Sequence, residues 1–158
     1  MDAEVLLDAI SNVSGVPEVF SRASGPGGKD PMGTRAIQIK DTDSYPSRFL
    51  DMYGRSDRTM VPQRDGQANL TQALHMLAGP TYTEKISREG SRIDQWIKSG
   101  AADGRVIEEL CLLGLSRLPT QEETERLEAL LRRGSVRRQA LEDLMWGMVS
   151  SREFAYKH

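Results

Sequence analysis

The residues of this chain able to do chemistry are few: two histidines, one cysteine, three adjacent acidic pairs and one arginine cluster. His75 lies at the flank of an apolar helical pattern, where a hydrogen-bonded, half-buried imidazole is expected; His158 is the last residue. No HxxxH, ExxH or CxxC spacing supports a metal site, and no CxxCH is present to attach a c-type haem. Cys111 sits between Leu110 and Leu112, which makes it a small buried hydrophobe with a raised pKa rather than an activated nucleophile. The pairs Glu108-Glu109, Glu122-Glu123 and Glu142-Asp143 contain the carboxylates a hydrolase would need. Neighbours on a helix point about 100° apart, however, so each pair reads as a solvated helix face. Gly25-Pro-Gly-Gly28-Lys29 departs from a phosphate loop: Ala23 stands five residues before Gly28, and Asp30 follows the lysine. No cofactor is expected.

Arg132, Arg133, Arg137 and Arg138 form the one concentration of charge. The last two fall in the first turn of a helix, where cations are disfavoured by ~0.3–1 kcal/mol each. Glu142, the acidic helix before them or an external anion are the candidates to offset that. Internal ion pairing is the expected answer, and an anion contact the alternative. No aromatic residue interleaves the cluster, and the net charge of −2 argues against a nucleic-acid binder.

The elements that must position these groups are helical. The 158 residues suit one domain, with 38% hydrophobic and 28% charged residues. The longest apolar run, Leu110 to Leu113, is far short of a membrane span. Asp2 opens a first helix carrying Val5, Leu6, Ala9, Ile10 and Val13, which stops near Gly15. The chain from 21 to 34 has loop chemistry, and alternation of Ile37 and Ile39 allows a short extended segment over 35–40. Helices are expected over 47–53, over 69–78 with Leu70, Ala73, Leu74 and Leu77 on one face, and from 81, restarted at Pro80. Another spans 91–98. Asp103 caps the most buried helix, Thr120-Gln-Glu-Glu123 is a capping box, and Ser135 starts a last long helix with Val136, Ala140, Leu141, Leu144, Met145 and Met148 inward. Ser151 to Phe154 forms a closing turn. The fold class is all-α, a bundle of about six to eight helices with a loop-rich N-terminal half and at most a short extended segment.

Six segments, in order, resemble the planctomycete-specific domain one, a domain of unknown function. They are Asp2 to Ile10, Thr34 to Ile37, Phe49 to Arg55, Gln72 to Pro80, Leu115 to Thr120, and Ala140 to Trp146 running on through Ser150 to Phe154. The chain is similar to the C-terminal portion of that domain. The resemblance implies a piece of a larger exported bacterial protein that also carries cytochrome c domains and often a carbohydrate-binding-like domain. It supplies no catalytic residues. Closely spaced cysteines common in the family after the segment matching Tyr53 to Arg55 are replaced here by Met60-Val-Pro-Gln-Arg64. Arg35, Gln72 and His75 are the polar residues of the matched segments that packing explains least, so they form the candidate polar site.

Two readings follow. The first is a non-catalytic interaction or scaffolding domain, whose opening without a leader suggests an excised piece; it predicts an exposed apolar patch around Val5, Leu6 and Ile10. The second is a hydrolase acting on polysaccharide, in which Arg35, His75 and Asp41 or Asp43 converge. A nucleic-acid module built on Arg132 to Arg138 comes third.

Overall fold

A computed structural model of the protein describes residues 2–23, 33–39, 41–55, 72, 74–76 and 79–156. The Gly-rich stretch 25–29, Leu70, Ala73, Leu77, the segment 60–64 and His158 lie outside the described residues. Among them the architecture is all-α: α1 (Ala3–Ser14), α2 (Arg48–Met52), α3 (Pro80–Ser87), α4 (Arg92–Ser99), α5 (Asp103–Leu115), α6 (Gln121–Arg133), α7 (Arg137–Val149) and α8 (Arg152–Tyr156). Residues 72 and 74–76 are helical too.

Helix α1 buries Ala3, Leu6, Leu7, Ile10 and Val13, a stripe at helical spacing. It ends at Gly15, whose φ of 71° is left-handed. The carbonyls that this end leaves open are met by side chains from elsewhere. Arg92 donates to the carbonyls of Val13 and Asn12, and Lys85 to that of Val16. Cations at a helix C-terminus also suit its dipole.

Helices α3, α4 and α5 each touch both α1 and α7, so these two are the hubs of the core. From α5 come Val106, Ile107, Leu110 and Cys111, and from α7 Leu141, Met145 and Val149, all at most 2% exposed. Helix α6 touches α5 and α7 and stands at the edge. The Thr120–Glu123 capping box forms as expected, with reciprocal bonds of 3.2 and 2.8 Å.

Several expectations are corrected. Residues 36–38 form a single 3-10 turn, because Asp8 on α1 accepts both the Ala36 and Ile37 amides, at 2.7 and 3.3 Å. The anticipated apolar patch on the first helix is absent: Leu6 and Ile10 are buried under the neighbouring helices. Leu74 is 58% exposed, whereas His75 beside it is buried, so the helix at 72–76 is rotated from the expected face. Val136 is the N-cap of α7, in place of Ser135, and is 57% exposed rather than inward. Asp103 is the first residue of α5, with Ala102 at the cap. Leu112, expected within the most apolar helix, is half exposed.

Candidate functional site

His75 is held in a box of rings. Phe49 and Tyr53 from α2 and Tyr82 from α3 approach it edge-on, at centroid distances of 5.6, 5.8 and 5.7 Å. The sequence makes the box locally: Ser47 caps α2 through the Leu50 amide, and Pro80 starts α3, its ring being suited to a first helical position. Gly79 is obligatory between them, since a Cβ there would overlap both the His75 carbonyl oxygen and its ring. Within the box the Tyr82 and Tyr53 hydroxyls meet at 3.3 Å, and Tyr53 donates to the Gln72 carbonyl. The Gln72 amide donates to the Met52 carbonyl.

His75 Nδ1 is buried with no hydrogen-bond partner among the described residues. Burial, with the Arg48 guanidinium second, pushes the imidazole below its ordinary pKa of 6.5. Burial likewise raises the Tyr82 phenol far above its usual range. A neutral imidazole among aromatic edges can accept a proton or a hydrogen bond.

Gln72 and His75 therefore share Tyr53, while Arg35 belongs elsewhere. Its side chain is 65% exposed and lies 3.9 Å from Asp8, on a polar cleft shared with Glu18 and Arg92. Asp41 accepts from the Ser44 hydroxyl, and Asp43 lies in the 3-10 turn 42–44.

The arginine cluster disperses into separate ion pairs. Arg132 meets Glu128 at 3.1 Å on its own helix. Arg137 bonds Asp103 and the Ala101 carbonyl, both at 2.6 Å. Arg138 bonds Asp94 on α4, a carboxylate only 5% exposed, and reaches Glu142 at 3.5 Å. Arg138 and the Gly90 amide together hold the Asp94 carboxyl below its usual range. The first-turn cations are thus offset mainly by Asp94 and Asp103, from helices distant in sequence. Arg133 forms no ion pair among the described residues.

The acidic pairs split as helix geometry requires. Glu109 accepts from Arg92 and the Trp96 indole, and Glu123 from Arg117 and the Thr120 amide. Arg117 also forks onto Glu153, tying the start of α6 to α8. Among the described residues, no group of three or more His, Cys, Asp or Glu could hold a metal ion. Cys111 is buried and its thiol is pushed up by burial.

Sequence reasoning missed two features. Lys85 is a buried amine, 3.0 Å from Glu18 and 3.0 Å from the Val16 carbonyl, with its pKa lowered by burial. The larger feature is an apolar groove of about 680 Å³ between α6 and α7. Leu115, Leu127, Leu131, Ala140, Leu144 and Met148 line it, and Leu130 and Val136 stand beside them at 52% and 57% exposure. Gly134 lets the two helices converge at their turn, since a Cβ there would come within 2.6 Å of the Ala140 Cβ.

No curated protein and no solved structure matches the chain significantly. A family model described as "PSD1: Protein of unknown function (DUF1553)" matches residues 1–131. The segments 140–146 and 150–154, which contributed to the resemblance, lie beyond that match, although α7 supplies part of the core. With 131 of its 158 residues inside the match, the chain belongs to the PSD1 family.

Proposed function

We propose that this chain is a non-catalytic helical interaction domain, a scaffold within a larger exported protein whose neighbouring domains include the cytochrome c type. The α6–α7 groove carries this reading. Leu130 and Val136 are more than half exposed and line one apolar channel together with Leu127, Leu144 and Met148. Such a channel suits the apolar face of a helix, which anchors in it through residues one turn apart. The residues a polysaccharide hydrolase would have used are tied to different partners: Arg35 lies at Asp8, Asp41 at Ser44 and His75 in its ring box. Most of the arginine cluster is likewise engaged within the chain.

Binding of the apolar dye bis-ANS, read by fluorescence, tests the groove. The chain is expected to bind it, and Leu130→Asp is expected to abolish binding with the Tm unchanged, Val136→Asp to abolish it with the Tm raised, because Asp caps α7 where Val does not. A thermal shift by an acidic oligosaccharide that His75→Ala or Arg35→Ala removes would instead favour the hydrolase and overturn the interaction reading.

A further inference from the structure

We infer that Lys85 is a covalent modification site, where its amine condenses with a small polar aldehyde held in the cleft between α3 and residues 16–19. The cleft has a volume of about 210 Å³, with Val16 and Glu18 on one side and Thr81, Glu84, Lys85 and Arg88 on the other. It shares no lining residue with the α6–α7 groove. At ~30 Å³ for a water-sized group, it admits a compound of on the order of seven heavy atoms. The Lys85 side chain is only 7% exposed, whereas Lys98 on α4 is exposed. Burial favours the neutral amine, which is the nucleophilic form. Glu18 lies 3.0 Å from Nζ and lines the same cleft, so a base stands where the ammonium must lose its proton.

The step balances within this pair. Glu18 takes one proton from the Lys85 ammonium, and the nitrogen lone pair adds to the carbonyl carbon. A proton passes from that nitrogen to the former carbonyl oxygen, giving a carbinolamine. Glu18 then returns its proton to the hydroxyl, which leaves as water while the nitrogen lone pair closes the C=N bond. One ammonium and one aldehyde thus become one iminium and one water, with no oxidant or reductant. Other adducts suit the site less. Acylation would leave a neutral amide and strip Glu18 of its cation, and a carbamate would set a new anion beside Glu18 and Glu84. The iminium keeps both the positive charge and one N–H beside Glu18, so the partly buried carboxylate stays compensated.

Reductive trapping of the intact chain with glycolaldehyde and cyanoborohydride, followed by peptide mapping, provides the test. The hydride reduces the iminium to a secondary amine and fixes one hydroxyethyl group on the labelled nitrogen. With limiting aldehyde at neutral pH, Lys85 is expected to carry most of the lysine label, ahead of Lys29, Lys40, Lys98 and Lys157. In the chain unfolded by urea the five should label alike. Lys85→Arg should lose the preferred label with its circular dichroism unchanged, and the wild-type mapping stands without that variant. Glu18→Gln leaves Asp8, Glu84 and Arg88 around the amine and should lower the maximal rate of the pH profile at Lys85 by at least about tenfold. Label led by exposed Lys98, or the same distribution in the folded and unfolded chains, overturns the site. An unchanged maximal rate in Glu18→Gln overturns the proton transfers assigned to Glu18.

Discussion

The ring box at His75 and the groove between α6 and α7 each leave one physical demand unmet, and the demands are opposite. In the box a polar atom, His75 Nδ1, is enclosed by Phe49, Tyr53 and Tyr82 without a partner. In the groove apolar side chains stand in water without cover. An unmet buried polar atom lies inside the fold, among rings that belong to the chain itself. Unmet apolar surface can be covered only from outside the chain. Polar residue types thus point to the ring box, whereas the exposed apolar surface of the groove is made of leucine and valine.

The contrast can be broken most forcefully at the box. Tyr82 is fully buried, and Tyr82→Ala should destabilise the chain by about 3–5 kcal/mol, as truncation of other large buried aromatics does. Chemical denaturation measures this, and a loss below about 1 kcal/mol would mean that the box is loosely held. Next in size is Gly79→Ala. Its methyl group must displace the His75 backbone and ring, so a loss of about 1–3 kcal/mol is expected by the same measurement.

A smaller effect separates the two regions by pH. The folded state holds His75 below 6.5, so its contribution is complete above that pH and is lost as pH falls through the lowered folded value. His75→Leu should flatten the pH dependence of stability just below pH 6.5. Near the groove, the Arg117 guanidinium and the Thr120 amide hold the Glu123 carboxyl down at about 2. Its contribution is complete above 4.5 and drains as pH falls toward 2, so Glu123→Gln should lower stability above 4.5 and flatten its pH dependence only between 4.5 and 2. Urea midpoints across pH distinguish the two; one common window would merge the regions. The smallest effect belongs to the groove, where Leu130→Asp should leave stability within about 0.5 kcal/mol while removing dye binding.

Much of this was legible from local pattern. The α1 stripe, the Gly15 stop, the Thr120–Glu123 capping box and the Ser47 cap depend on residues within a few positions of one another. The 3-10 turn at 36–38 was not legible, because its cause is Asp8, 28 residues before the first amide it accepts. Internal pairing of the arginine cluster was foreseen, but its main partners, Asp94 and Asp103, come from α4 and α5. Gln72 and His75 do come together around Tyr53, and Arg35 does not join them, because Asp8 lies beside it.

Periodicity names the apolar face of a helix without saying how many neighbours that face will find. Helical class, caps and stops follow from interactions within a turn or two, and for those the order of residues is sufficient. Which faces are covered depends on how the helices pack together. Thus α1, expected to carry an exposed patch, is enclosed by α2, α3, α4 and α5, while α6 packs mainly on α5 and α7, and Leu130 and Val136 remain more than half exposed. Burial is a property of the assembled helices, and the groove that best accounts for this chain exists only once they have come together.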